Sequence, residues 1–169
     1  MYFALIEQFV DTLTNLDGIL LKATENATAR GFDVNNFMQA RLAPDMLPFW
    51  RQVTIACDTS KAIAAALAGK TPPRFEDNEQ TFEDVRARIA KNIEYLKTFQ
   101  ASDFEGLTAD KVVPIPYPPG KGMKAQAALV TRAVPNFFFH VNMTYALLRH
   151  GGVPIGKTDY LGQLEILDM

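Results

Sequence analysis

The chain has two histidines, and His140 is the one whose neighbours suit chemistry. It follows the three phenylalanines 137–139 in a stretch whose apolar periodicity predicts a helix. Asn136 and Thr144 lie one helical turn away on either side, so they share a helix face with His140. Because an imidazole exchanges protons near neutral pH, His140 is a candidate general base or hydrogen-bonding group for a small molecule. The alternative is a core histidine whose ring nitrogens are satisfied by amide partners.

The second histidine, His150, cannot join His140 on one metal ion. Ten residues separate the two, and along a straight helix this spacing is a rotation of about 1000° and a rise of about 15 Å. A H-E-x-x-H metal motif is also absent. His150 is expected in the last turn of its helix, where its ring can serve free carbonyl groups. Arg149 and Asp159 are expected to pair and hold the C-terminal tail.

The remaining reactive residues have structural explanations. Lys61 follows Cys57 by four residues and could lower the pKa of its thiol, but a thiol on an apolar helix face is typical of an inert core residue. The motif Gly120-Lys-Gly122 lacks the spacing of a phosphate-binding loop and follows two prolines, which favours a turn. No serine stands in a context that would complete a Ser-His-Asp triad with His140.

Four long amphipathic helices are predicted to position these residues. The first spans about 3–29 and ends at Gly31, because glycine readily adopts the left-handed conformation that closes a helix. The second begins within Pro44–Pro48, with Asp45 accepting free amide protons, and ends at Gly69.

The third and fourth helices have equally local start signals. Thr81 and Asp84 match a capping box at the start of the third helix, and Asp84 forms a favourable i,i+4 pair with Arg88. Pro135 starts the fourth helix, which stops at Gly151-Gly152.

Shorter elements connect the helices. Asp33 is expected to cap a short element after the first helix, and Phe32, Phe37 and Leu42 are expected to anchor it. Within 111–132 the prolines favour two short strands around the turn Pro118–Gly122, the second running from Met123 to Val130. The sequence therefore predicts an all-α, up-down four-helix bundle with a small β-hairpin before the last helix, as a single domain over 1–169.

Composition excludes several classes of function. With 17 basic and 19 acidic residues and no basic cluster, the chain lacks the positive surface that nucleic-acid binding requires. No run of about 18 apolar residues indicates a membrane span. Glu7 and Asp11 interrupt the apolar pattern of the first residues, which argues against a signal peptide. The lone Cys57 cannot form an internal disulfide, which favours a cytoplasmic location.

The segments Leu147-Leu-Arg149 and Gly152-Val-Pro154 resemble the end of the last helix in the DinB-like (YfiT-like) helical bundles. In particular, they resemble a bacterial branch of that superfamily that is called a domain of unknown function. The resemblance implies the bundle fold over nearly the whole chain. It also implies that some relatives carry a metal site of three histidines, one on the second helix and two near the start of the fourth.

Aligned on that resemblance, one histidine of the metal site is His140, while Asn136 and a residue near Gln52 stand at the other two positions. Neutral amide oxygens are weak ligands for zinc or nickel, so no cofactor is expected. The disfavoured alternative is a weakly bound divalent metal, in which Asp58 would assist His140.

Two functions remain open at this point. The favoured one is a homodimeric bundle that binds a small ligand or a protein partner, with the Ala-rich second helix or the first helix at the dimer contact. The alternative is an enzyme of transferase or hydrolase type with His140 as its catalytic residue, in a pocket between the second and fourth helices. The candidate ligand-binding residues are Trp50, Gln52, Asn136, His140 and Thr144.

Overall fold

The computed structural model describes residues 1–167. Its helices are α1 (Tyr2–Arg30), α2 (Phe49–Leu67), α3 (Phe82–Leu96), α4 (Ala125–Ala127), α5 (Val134–His150) and α6 (Lys157–Leu161). Two 3₁₀ turns (Val34–Phe37 and Ala101–Phe104), a π-helical segment (Ala128–Ala133) and the strands β1 (Val112–Pro114) and β2 (Gly122–Lys124) complete the structure. The predicted all-α bundle with a hairpin before the last long helix is confirmed. None of the helices among residues 1–167 has the length and apolar character needed to cross a membrane.

The side-chain pairs between α2 and α5 show how these helices are oriented. Gln52 contacts His140, and Thr59, further along α2, contacts Asn136, which comes earlier on α5. The order of partners is reversed, so α2 and α5 run antiparallel.

By contrast, α2 and α3 run parallel. The ring of Phe49 stacks on Phe82 at a centroid distance of 5.3 Å, and the side chains of Ser60 and Asn92 meet further along both helices at 2.9 Å. Residues 68–81 therefore return along the length of the bundle before α3 begins.

The helix α1 runs antiparallel to α3, because Asp17 contacts Arg86 early in α3, whereas Phe3 near the start of α1 lines a surface pocket with Leu96 at the end of α3. The helix directions are therefore up, down, down and up.

The first connection begins as predicted. Gly31 ends α1 with φ of 72°, and the Asp33 side chain accepts a hydrogen bond from the Asn35 amide at the start of the 3₁₀ turn. Phe37 is buried against the core, but Leu42 is 42% exposed and does not anchor the connection.

The second helix starts at Phe49, so the predicted start within Pro44–Pro48 is wrong. Leu47 precedes a proline, and the ring of Pro48 disfavours the helical conformation of the residue before it. Pro48 itself is extended, with ψ of 163°, and serves as the N-cap residue in place of Asp45.

The last long helix also starts elsewhere than predicted. The hairpin pairs Val113 with Met123, but helical structure begins at Ala125, so the predicted strand to Val130 and the predicted start at Pro135 are wrong. Pro135 cannot donate the hydrogen bond that a continuing α-helix requires. The wider turns of the π-helical segment directly before it accommodate this loss.

The C-terminal tail is held by other partners than the predicted Arg149–Asp159 pair. Asp159 pairs with Lys22 on α1, while Arg149 donates to the carbonyl of Val153 at 3.3 Å. Arg30 caps the end of α5, because its Nη1 donates a hydrogen bond to the Gly151 carbonyl at 3.0 Å. The exposed His150 ring forms no hydrogen bond within residues 1–167, so the predicted capping role of His150 belongs to Arg30.

Candidate functional site

The structure brings His140 of α5 and Gln52 of α2 into direct contact. His140 Nδ1 lies 2.7 Å from Gln52 Oε1, and both side chains are buried, with exposed fractions of 7% and 2%. The Gln52 Nε2 group donates to the carbonyl of Leu47 at 2.9 Å. The bend at Pro48 holds that carbonyl next to the first turn of α2, where the Gln52 side chain can reach it.

This arrangement decides which ring nitrogen of His140 carries the proton. The Leu47 carbonyl accepts a hydrogen bond from the Gln52 side-chain amide, so the amide oxygen faces the ring. An amide oxygen can only accept a hydrogen bond. His140 Nδ1 is therefore the donor, and the lone pair of the neutral ring lies on Nε2. Burial lowers the pKa of His140 below its usual 6.5, and the positive charge of Arg51 lowers it further. At neutral pH the ring is uncharged.

The other candidate ligand-binding residues lie on both sides of this pair. Thr144 is fully buried and donates its hydroxyl proton to the His140 carbonyl at 2.9 Å. Trp50 is partly buried, with the guanidinium of Arg51 at 5.1 Å from its ring centroid. Asn136 donates to Thr59 Oγ1 at 2.7 Å and is exposed on its other side. Their role in ligand binding stays a prediction.

The metal site of the superfamily does not fit these residues. The Gln52 amide is engaged at both ends, by Leu47 and by His140. The carboxylate of Asp58, the other donor that the sequence suggested, is already paired with two cationic side chains, Lys61 and Arg88. Within residues 1–167 no group of three or more histidine, cysteine, aspartate or glutamate side chains is placed to hold an ion. One imidazole and neutral amides are a poor donor set for zinc or nickel.

A cavity of about 210 Å³ lies between α2 and the helical path that leads into α5, and we call it the α2–α5 cavity. It is lined by one face of α2 and by Pro114 at the end of β1 and Pro116 after it. Its lining is mostly apolar, and its polar members come from both helices. The lining residues are Ile55, Asp58, Thr59, Ala62, Ile63, Pro114, Ile115, Pro116, Ala128, Arg132, Ala133 and Asn136. Asn136 is the one predicted ligand-binding residue among them; Gln52, His140, Trp50 and Thr144 lie outside this lining.

A buried ion cluster lies between α2, α3 and the linker of residues 68–81, and it was not predicted from the sequence. Arg88 is 4% exposed, and its guanidinium donates to Glu79 Oε1 at 2.8 Å and to Asp58 Oδ1 at 2.9 Å. Asp58 also pairs with Lys61 at 2.7 Å. Asp84 caps α3 as predicted, but its carboxylate serves the Gln80 and Thr81 amides, so the predicted Asp84–Arg88 pair is wrong.

The ring of Phe75 joins the linker to the same cluster. The cationic groups of Lys61, Arg88 and Lys91 lie 4.0, 5.0 and 4.4 Å from its centroid. Such contacts between a cation and a ring are favourable, and more so when they are shielded from water. The signal in the sequence was the position of Arg88, three residues after Val85 on the apolar stripe of α3.

The structure agrees with an inert Cys57. The thiol is fully buried beside the ion cluster, and this burial raises its pKa to about 12, although the charge of Arg88 acts in the opposite direction. A thiol with that pKa is not a nucleophile at neutral pH. Gly120 has φ of 72° in the hairpin connection, which agrees with the predicted turn.

The neutral state of His140 predicts stability that depends on pH. The pKa of His140 is lowered by folding, so the unfolded chain takes up this proton first as the pH falls through 6.5. The free energy of unfolding should therefore decrease from about pH 7.5 to pH 5.5. Urea unfolding should show that His140→Gln removes much of this decrease, whereas His150→Gln, which changes the exposed histidine, keeps it. Equal decreases in the two variants would contradict the assigned state of His140.

The ion cluster predicts a large loss of stability when Arg88 is replaced. Arg88→Met should lower the free energy of unfolding by about 3–5 kcal/mol, because Glu79 would stay buried without its cation. The double variant Arg88→Met, Glu79→Leu should recover part of the loss, since no unpaired charge remains. Urea unfolding measures both, with the exposed Arg74→Met as control. A loss below about 1 kcal/mol for Arg88→Met, as for an ordinary surface substitution, would show that the cluster is unimportant for stability.

Known proteins match the chain in sequence and in structure. The model of the domain of unknown function DUF1993 matches residues 1–161. No curated protein gives a significant match. The crystal structure of a DinB family member protein from Shewanella denitrificans is 37% identical, and the alignment covers 97% of this chain and 93% of that chain with a TM-score of 0.90. The resemblance stated from the sequence is confirmed, and the chain belongs to the DUF1993 family of DinB-like helical bundles.

Proposed function

We propose that this protein binds a small organic ligand in the α2–α5 cavity without the help of a metal ion. The observation that supports this most is the composition of the cavity wall, which is apolar with a few polar groups. This combination is typical of small-molecule sites, where apolar contacts provide affinity and a few polar groups fix the orientation of the ligand.

Two polar side chains in the cavity wall, Thr59 and Asn136, can each form a further hydrogen bond with a ligand. Thr59 Oγ1 accepts from Asn136 Nδ2. Within residues 1–167 the hydroxyl proton of Thr59 and the Oδ1 atom of Asn136 form no hydrogen bond. A ligand in the cavity would therefore meet one donor and one acceptor side by side, which suits a molecule with a polar end.

We propose further that the protein acts as a cytoplasmic homodimer, as the sequence and the family resemblance suggest. The two contact surfaces considered from the sequence are largely used inside the bundle, since Ala64 and Ala65 of α2 and Leu13 and Leu16 of α1 are buried. Phe139 on α5 is 50% exposed and offers an aromatic side chain for such a contact.

A variant that fills the cavity tests the proposed binding site. Ala62 lines the cavity, so Ala62→Phe should displace a ligand, whereas Ala90→Phe places the same ring on the exposed side of α3. A panel of small organic fragments should shift the amide NMR signals of cavity residues saturably in the wild type and in Ala90→Phe. The same fragments should bind at least about tenfold more weakly to Ala62→Phe, a difference of about 1.4 kcal/mol.

Failure of every fragment to shift these signals, or equal binding by Ala62→Phe, would overturn the proposed binding site.

The proposed homodimer is tested by light scattering on the same samples, which measures the mass of the particle. The homodimer predicts twice the mass of one chain, and the mass of one chain would contradict it.

The alternative function, an enzyme that uses His140 as a general base, is favoured by one observation. Gln52 fixes the proton on Nδ1 and leaves a lone pair on Nε2 of a ring whose pKa is lowered.

Diethyl pyrocarbonate, which acylates accessible neutral imidazoles, distinguishes the ligand-binding protein from the enzyme. A ligand-binding bundle predicts fast reaction at the exposed His150 and protection of the buried His140. Comparable rates at both residues, read by peptide mass spectrometry, would support the enzyme instead.

A further inference from the structure

The α2–α5 cavity contains a cation without a partner. Arg132 lies in the π-helical segment, is partly buried and lines the cavity. None of the ion pairs among residues 1–167 involves Arg132. A guanidinium that is partly removed from water is stabilised when an anion pairs with it in the same cavity.

The nearby carboxylate of Asp58 does not serve as that partner. Asp58 also lines the cavity, but its Oδ1 atom forms ion pairs with Lys61 at 2.7 Å and with Arg88 at 2.9 Å. Asp58 is therefore already paired with two cations, neither of which is Arg132, and the charge of Arg132 is available to another anion.

The remaining wall has the chemistry that fits a small organic anion. Ala128, Arg132 and Asn136 recur at four-residue steps and share one side of the helical path beside the cavity. Ile55 and Ile63 of α2 and Ile115 after β1 provide the apolar surface. The free hydroxyl proton of Thr59 adds a second donor for an acceptor oxygen.

We infer that the ligand of the α2–α5 cavity is a small organic monocarboxylate whose carboxylate pairs with Arg132 and whose apolar body contacts the isoleucines. The planar guanidinium matches a carboxylate with two parallel hydrogen bonds, which a lysine cannot reproduce. A volume of about 210 Å³ compares with about 30 Å³ per water molecule in the liquid, so the ligand has on the order of seven to ten non-hydrogen atoms. This inference rests on the proposed ligand-binding function of the same cavity.

Matched acids and amides test the inference on the full chain. Benzoate and hexanoate are titrated against benzamide and hexanamide, which have the same shape without the charge, and amide NMR signals report binding. The two carboxylates should shift the signals of cavity residues saturably and bind more tightly than their amides. Arg132→Gln should weaken carboxylate binding at least about tenfold, which corresponds to about 1.4 kcal/mol. Arg132→Lys should recover part of this loss, because it restores the charge but not the planar geometry.

The control variant is Arg74→Gln, which removes an exposed arginine outside the cavity and should leave binding unchanged. The NMR spectrum of Arg132→Gln without ligand shows whether its fold is intact. Equal affinities for acids and amides, with no effect of Arg132→Gln, would overturn the carboxylate inference and leave the proposed function standing. Carboxylates that produce no saturable shift at the cavity would also overturn the inference, while the fragment panel with Ala62→Phe decides the proposed function independently.

Discussion

The hydrogen bond between Gln52 and His140 is the contact that determines the arrangement of the site around His140. It joins α2 to α5 at 2.7 Å inside the bundle and places the ring proton on Nδ1, because Leu47 orients the glutamine amide. Burial of this pair inside the bundle lowers the pKa of His140, so the ring is neutral where it meets the glutamine.

Polar side chains lie on two sides of α2. Those on one side are engaged by a neighbouring helix, whereas the other side borders a cavity. Towards α3, Asp58 and Ser60 are engaged by Arg88 and Asn92, and these bonds fix the linker and the third helix. Towards the hairpin and the π-helical segment, Thr59 keeps bonding capacity and faces a cavity. On the first side, α3 runs parallel to α2. On the second side, the path before α5 is irregular and leaves the cavity.

Local signals allowed the boundaries of α1 and α3 to be predicted, because the ends at Gly31 and Thr81 depend on residues within one turn. The start of α2 and the start of helical structure at Ala125 depend on how the prolines are accommodated in three dimensions, and both predictions were wrong. The family resemblance placed His140 and a residue near Gln52 at one site, but it left open which polar group would contact the ring. The inward position of Arg88 was not predicted, since its partners come from the linker and from another helix.

Whether the site around His140 holds a metal ion is decided by the metal content per chain of tag-free protein purified without chelator, measured also on His140→Ala. We expect background levels of zinc, nickel and iron in both samples, because one imidazole and the neutral amides of Gln52 and Asn136 are a poor donor set for these ions. Near-stoichiometric metal in the wild type that is lost in His140→Ala would contradict this expectation and make a metal-dependent enzyme the better explanation.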